Sequence, residues 1–120
     1  PIKDIDNWEL IIEAMKQTVY GKFGTAKRLN NKLQYSLAGK TGTAQVFGLD
    51  PEEEYIAENI EEKLRDHALF TGFAPIENPQ VAIAIIVENA GSGSSIAAPL
   101  ARELLDEYFI KNPVKLDTTK

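Results

Sequence analysis

The residues whose types and spacing could do chemistry lie together in one short segment. Lys40 stands between Gly39 and Gly42 and is followed by two hydroxyl residues, Thr41 and Thr43. A lysine between glycines fills a core or a strand interior poorly, so packing does not explain it. Its ammonium can place positive charge beside a nucleophile, threonine hydroxyls can bind a carboxylate, and a backbone N–H can donate to an oxyanion. We take this segment as the candidate site.

Two known sequence motifs could account for this segment. Gly39-Lys40-Thr41 matches the end of a phosphate-binding loop, but that motif needs glycine where Gln34 stands and a helix directly afterwards. The alternative is the Lys-Thr-Gly strand of serine enzymes that react with penicillin, which accompanies Ser-x-x-Lys and Ser-x-Asn elements. In a strand, Lys40 would point to one face, while Thr41 and Thr43 would share the other face or lie at the rim.

The wider sequence resembles one family of such enzymes. The chain is similar from Trp8 to Tyr108 to the elongation-specific penicillin-binding proteins of rod-shaped bacteria, the penicillin-binding protein 2 group. The segments that carry the resemblance occur in the family's order and spacing: Lys40 to Gly48, Leu64 to Phe70, Phe73 to Pro75, Asn78 to Ala82 and Val87 to Asn89.

The resemblance implies a peptidoglycan D,D-transpeptidase, which cross-links stem peptides through an acyl-serine intermediate and binds β-lactam antibiotics. Lys40 would be catalytic through proton transfer and electrostatics, and Thr41, Gly42 and Thr43 would bind the substrate. The Thr43 backbone N–H would also be catalytic, as part of the oxyanion hole. The family further implies the cell-wall elongation machinery as a partner, and a location at the periplasmic face of the inner membrane.

The catalytic serine of the family is not in this sequence. None of the serines has lysine three residues later, and no Ser-x-Asn occurs; the serines are Ser36, Ser92, Ser94 and Ser95. We therefore expect the C-terminal part of a transpeptidase domain, over residues 1–112 with a polar tail at 113–120, that cannot cross-link alone. A non-catalytic interaction module is the alternative. A β-lactamase or β-lactam sensor fits less well with the insert after Phe47 and with Asn78-Pro79.

Composition narrows the remaining function classes. The net charge of −5 argues against nucleic acid as a partner. No cysteine is present, and no apolar run approaches the roughly 18 residues that cross a bilayer, so we expect no membrane contact by this segment. We expect no cofactor or metal, interpreting His67 as a structural or surface histidine and the glutamates of residues 52–62 as a solvated surface. A start at Pro1, without a signal sequence, predicts a trimmed N-terminus.

The first half of the chain predicts a helix, a strand and an acidic helix. Helical spacing of Trp8, Ile11, Ile12, Met15 and Val19 predicts a core-facing helix with Asp6 as N-cap and Gly21 as its stop. A strand is expected from about Leu33 to Gln45. Asp50 followed by Pro51 predicts a short acidic helix or turns to Asp66, in which Glu61 and Arg65 could pair.

The second half predicts a hairpin and a last helix. Residues 68–74 and 81–89 are strand-like and are separated by a proline-bounded turn. The second of them is nearly all apolar, which predicts cover on both faces. Ser94 or Ser95 could cap a helix with Ile96, Leu100, Leu104 and Tyr108 on one face. The predicted fold class is α+β, an antiparallel sheet of three strands flanked by helices.

Overall fold

A computed structural model describes residues 4–46 and 61–114 of the chain, and its centre is a three-stranded antiparallel sheet. The strands, in spatial order, are β1 (Ala38–Ala44), β2 (His67–Ala74) and β3 (Val81–Val87). β2 and β3 form a hairpin, closed where the Gln80 N–H donates to the Ala74 carbonyl at 3.0 Å. The predicted fold class and the predicted hairpin are confirmed.

The first helix, α1 (Ile5–Tyr20), precedes the sheet. It begins after Asp4, whose carboxylate accepts a hydrogen bond from the Asp6 N–H at 3.0 Å, and it ends at Gly21, whose N–H donates to the Gln17 carbonyl. The helix and its stop at Gly21 are confirmed. The predicted N-cap, Asp6, is wrong, because it lies inside the first turn.

Only the C-terminal end of α1 reaches the core. Val19 is fully buried, whereas Trp8 is 46% exposed and Ile11 is 50% exposed. The prediction of a continuous core-facing stripe is therefore wrong for the first two turns. The Tyr20 hydroxyl fixes this end of the helix, because it accepts a hydrogen bond from the Leu37 N–H at 3.1 Å.

The strand predicted over Leu33 to Gln45 is shorter than expected. β1 begins only at Ala38, and the preceding residues form no ladder with β2. Tyr35 and Leu37 are nevertheless buried. Their side chains have the composition of a strand, which is why a strand was predicted. In the structure they pack in the core although their segment is irregular.

The last helix, α2 (Ala98–Lys111), follows a single π-helical turn at Gly93–Ala97. The carbonyl of Ser92 accepts hydrogen bonds from the Ser95 and Ile96 N–H groups, so the cap of this helical segment is Ser92 and the predicted cap at Ser94 or Ser95 is wrong. The buried stripe of the segment is Ala97, Ala98, Ala101, Leu105 and Phe109. The predicted stripe is exposed at Ile96, Leu100 and Leu104, because the small alanines are what allow the helix to approach the sheet closely.

Arg102 ties α2 to the chain that enters the sheet. Its Nε donates to both carboxylate oxygens of Asp106 at 2.7 Å, and its Nη1 donates to the Asn31 carbonyl at 3.2 Å. The Tyr35 hydroxyl donates to the same Asp106 at 2.8 Å. Burial, reinforced by that hydrogen bond, raises the pKa of Tyr35 well above its ordinary value.

The two faces of the sheet differ in cover. Ala68, Phe70 and Ala74 of β2 point into the core with the inward residues of β3. The alternate residues of β3 are exposed: Ala82, Ala84 and Ile86, the last at 66%. The prediction that β3 is covered on both faces is wrong for the described residues, because its apolar composition reflects one packed face and one open face.

The ends of the acidic segment meet beside β1 and β2. The Val46 N–H donates to the buried Asp66 carboxylate at 3.3 Å. Most of the acidic helix predicted to Asp66 lies outside the described residues. Its described end is a short 3-10 turn, Glu62–Leu64, which fits the turns rather than the helix of that prediction. There Glu61 pairs with Lys63 at 2.9 Å.

Most of the polar tail expected at 113–120 also lies outside the described residues, and Val114 packs against the core. No helix in the described stretches is long and apolar enough to cross a bilayer.

Candidate functional site

The candidate residues occupy the middle of β1, at one edge of the sheet. Lys40 pairs with Thr71 of β2, Thr41 with Phe70, Gly42 with Leu69 and Thr43 with Ala68. Because side chains alternate along a strand, Lys40 and Thr41 leave the sheet on opposite faces, and Thr43 shares the face of Thr41. β2 covers only one edge of β1, so in the described chain the other edge has no neighbouring strand.

Lys40 is exposed and its ammonium lies against its own strand. Its Nζ donates to the Thr41 carbonyl at 2.7 Å. That contact holds a positive charge beside the backbone of the Lys-Thr-Gly segment. A carboxylate or a reacting carbonyl that approached β1 would meet this charge directly.

The two threonines differ in their surroundings. Thr41 is half-buried, and its Oγ1 lies 2.7 Å from the Oγ1 of Thr25, which belongs to the connection between α1 and β1. Thr43 is exposed. The structure thus gives one hydroxyl a fixed partner and leaves the other facing solvent.

An open cavity of about 370 Å³ lies beside this part of β1. Lys40 forms part of its wall, and the rest comes from the last turns of α1 and from residues 21–25. Phe23 lies on its rim and is 87% exposed, with the Lys22 ammonium 5.4 Å from the centre of its ring. A ligand on Lys40 would therefore have room on the α1 side of the strand.

Gly93 packs directly against the backbone of the candidate segment. A Cβ added to Gly93 would lie 2.2 Å from the Gly42 carbonyl oxygen and 2.5 Å from that of Leu69. Only glycine permits such an approach, so the π-helical turn rests directly on β1 and β2 at the level of Gly42. This contact with the site was not predicted from the sequence.

His67, at the opposite end of β2 from the hairpin turn, has a structural role. Its Nδ1 accepts a hydrogen bond from the Asn89 N–H at 2.9 Å, and the Asn89 side-chain amide donates to the carbonyls of Lys63 and Arg65. Asn89 has a positive φ of 54°, which asparagine tolerates better than most residues. The histidine therefore helps to hold the start of β2, as the sequence indicated.

The serines of this chain lie outside the candidate segment. The Ser36 hydroxyl, just before β1, donates to the Glu77 carboxylate and accepts from the Ile76 N–H at 2.7 Å. The Ser92 and Ser94 hydroxyls bond to each other at 2.9 Å. What the structure assembles is a segment of edge strand, Lys40 to Thr43, backed by Thr25 and Gly93, with Lys40 in the wall of the cavity.

Comparison with known proteins identifies the class to which this wall belongs. The family model of the penicillin-binding protein transpeptidase domain matches residues 3–106. The chain therefore belongs to the penicillin-binding protein transpeptidase family. This confirms the resemblance inferred from the sequence.

Within that family the similarity is to one group. The peptidoglycan D,D-transpeptidase MrdA of Escherichia coli K12 is 45% identical over 112 residues, which are 92% of this chain and 18% of the relative. The crystal structure of Pseudomonas aeruginosa PBP2 in complex with WCK 5153 superposes with a TM-score of 0.74 at 39% identity, covering 98% of this chain and 23% of that one.

A third similar structure is a complex. Helicobacter pylori PBP2, solved with MreC, has a TM-score of 0.69 and 30% identity, covering 88% of this chain and 18% of that one. The chain thus spans less than a fifth of the length of the curated relatives it matches. These relatives favour the transpeptidase interpretation over the non-catalytic interaction module.

Proposed function

We propose that this chain forms one wall of the acyl-donor cleft of a peptidoglycan D,D-transpeptidase, with the serine nucleophile supplied by residues outside it. The supporting observation is the placement of Lys40 to Thr43 on an open edge strand beside a cavity, in a chain of this family. An edge strand with glycines can accept an extended peptide as an added strand. A stem peptide is a substrate of that shape.

Each residue of the wall has a role in the proposed reaction. The serine oxygen bonds to the carbonyl carbon of the penultimate D-Ala, and the terminal D-Ala leaves as its amine takes up a proton. Lys40 assists this proton transfer and offsets negative charge. Thr41 and Thr43 bind the carboxylate of the departing D-Ala through their hydroxyls, and Gly42 lets the substrate backbone approach. The Thr43 N–H donates to the developing oxyanion.

The second half of the reaction returns the enzyme to its starting state. An amine of a neighbouring stem peptide attacks the acyl-serine carbonyl, forms the cross-link and releases the serine oxygen, which regains a proton. A β-lactam enters the first half, because its ring carbonyl acylates the same serine and its carboxylate occupies the threonine site. No cofactor is needed for either half, since every step is acyl transfer with proton movement.

The relatives also suggest where the whole protein works. Because Helicobacter pylori PBP2 was solved with MreC, we include a cell-wall elongation partner of that kind in the proposal. Peptidoglycan lies outside the inner membrane, so the proposed location of this segment is the periplasmic face of that membrane.

A fluorescent penicillin tests the function. It is added to this chain alone and to the full-length protein that contains it. We expect labelling of the full-length protein only, and Lys40→Ala should slow its labelling by at least about 100-fold, the lower range for removal of an acid–base group. Lys111→Ala, an exposed lysine at the end of α2, is the matched control and should label normally. No labelling of either protein would favour the interaction module instead.

A further inference from the structure

We propose that Thr25 is a positioning residue that sets the direction of the Thr41 hydroxyl for binding a substrate carboxylate. This inference rests on the proposed function of the Lys40 to Thr43 wall. Its starting observation is the 2.7 Å separation of the Thr25 and Thr41 Oγ1 atoms. The two residues are 16 positions apart in the sequence and belong to different parts of the fold, so the chain has to bring them together.

The backbone on both sides of Thr25 is pinned to α1. The Gly24 N–H donates to the Gly21 carbonyl at 3.0 Å, and the Ala26 N–H donates to the Thr18 carbonyl at 3.0 Å. Ala26 itself is 2% exposed. Thr25 therefore stands between two anchored neighbours, and its hydroxyl is presented to β1 from a fixed point.

Gly24 makes this anchoring possible. A Cβ at this position would lie 2.3 Å from the Thr18 carbonyl oxygen and 2.7 Å from that of Gln17. The chain can turn this tightly against the end of α1 only without a side chain. The glycine thus places Thr25 rather than serving as a flexible link.

The chemistry of two hydroxyls decides which one donates. A hydroxyl has one proton to give and two lone pairs to receive, whereas an ionised carboxylate only accepts. When a carboxylate reaches Thr41, the single Thr41 proton must go to it. The Thr25 hydroxyl then donates to the Thr41 oxygen. That hydrogen bond polarises Thr41 and fixes its hydroxyl rotor, so that its proton points away from Thr25 and toward the ligand.

One member of the pair, Thr25, lies in the wall of the open cavity. Thr25 and Lys40 both line the open cavity beside β1. Thr41, next to Lys40 in β1, is half-buried, so part of its side chain stays open to a ligand. If the hydrogen bond between Thr25 and Thr41 only joined two segments of the fold, its loss would lower stability. If it positions the Thr41 hydroxyl, its loss weakens carboxylate binding.

The test uses the full-length protein and separates binding from acylation. Stopped-flow labelling with a fluorescent penicillin gives the dissociation constant of the non-covalent complex and the acylation rate constant. We expect Thr25→Val to raise the dissociation constant about fivefold, the worth of one neutral hydrogen bond, with the acylation rate constant unchanged. Thr25→Ser keeps the hydroxyl, so its dissociation constant should stay within about twofold of that of the parent protein.

A double-mutant cycle with Thr41→Val sharpens the result. In that background Thr25→Val should cause no further loss, because its target hydroxyl is gone. Asn112→Ala is the control, since its side-chain amide donates to the Tyr108 carbonyl at the end of α2, away from the cavity, and its loss should leave penicillin affinity unchanged. Thermal unfolding of every variant shows whether a loss simply follows stability.

The outcomes separate this inference from the function on which it rests. An unlabelled parent protein would overturn the proposed function and the Thr25 role with it. A labelled parent protein whose affinity is unchanged by Thr25→Val would overturn only the role of Thr25. Equal losses in Thr25→Val and Thr25→Ser, or a Thr25 effect that persists without the Thr41 hydroxyl, would also overturn it, because shape rather than the hydroxyl would then be responsible.

Discussion

At the scale of single residues, Ser36 and Glu77 join the start of β1 to the hairpin turn. The Ser36 hydroxyl donates to the Glu77 carboxylate and accepts from the Ile76 N–H. The hydrogen bond from Ser36, followed by one from the backbone of Glu77, holds the pKa of Glu77 below its ordinary value. The segment that leads into the candidate site is thus attached to the hairpin turn through Ser36, which bonds both a charged side chain and a backbone N–H.

This pair predicts a pH-dependent contribution to stability. Because the folded-state pKa of Glu77 is lowered, its contribution is fully present above the unfolded-state pKa and is lost as the pH falls through the folded-state pKa. Glu77→Gln should lower the free energy of unfolding by less than about 1 kcal/mol at pH 7, since the pair is exposed. The difference from the parent chain should vanish in acid.

Urea unfolding of the 120-residue chain at a series of pH values measures this difference. Glu9→Gln, an exposed substitution on α1, provides the control. A stability difference between Glu77→Gln and the parent chain that does not change with pH would contradict the assignment.

The sequence identified the residues of the site better than it identified their supports. Lys40, Thr41, Gly42 and Thr43 stand out because their types fit neither a core nor an ordinary strand. Thr25 has no unusual feature in the sequence, because threonine is common in turns. Its partner, Thr41, lies 16 residues away. Only the fold, which sets the turn after α1 against β1, reveals the pair.

At the scale of elements, the helix that follows the hairpin packs on the sheet through small side chains. The buried stripe of α2 consists largely of alanines followed by Leu105 and Phe109. Sequence patterning favoured the larger apolar residues Leu100 and Leu104, which are exposed. Hydrophobicity alone could not choose between the two stripes, because close helix–sheet packing selects small side chains and the partner surface is not visible in the sequence.

The contact of Gly93 with β1 and β2 predicts the effect of adding one methyl group. Gly93→Ala would push its Cβ into the Gly42 and Leu69 carbonyl oxygens. We expect a loss of about 1–3 kcal/mol in stability, the usual range for overpacking. Slower penicillin acylation in the full-length protein should accompany it, because Gly42 and Thr43 shift.

Thermal unfolding and fluorescent-penicillin labelling of the full-length protein check both effects. Ser95→Ala, on the exposed side of the same turn, is the matched control. Normal labelling and unchanged melting of Gly93→Ala would show that the turn does not support β1.

At the scale of the whole molecule, the open face of β3 is an apolar surface without cover in the described chain. Ile86 is 66% exposed and follows the exposed Ala82 and Ala84 on the same strand face, and β3 lies at an edge of the sheet. Edge strands with exposed apolar side chains promote association between chains. The isolated chain should therefore form dimers or exchange strands.

A charged residue on that face should suppress the association. Ile86→Lys is expected to shift the isolated chain toward monomer in light scattering, because a charge would have to be desolvated in the contact. Ile110→Lys, at an exposed position near the end of α2, is the control for added charge. A parent chain that stays monomeric at every concentration would contradict this prediction.

The junction between Val46 and Asp66 has a consequence for how the family can vary. β1 and β2 pair up to Ala44 and His67, and the Asp66 carboxylate joins the two chain ends just beyond that pair. Since the ends are already closed, doubling the length of chain between them would cost only about 0.6 kcal/mol of loop entropy. The junction is therefore a permissive point for insertions, where new sequence can be added or exchanged during evolution while the strand beside it keeps its register.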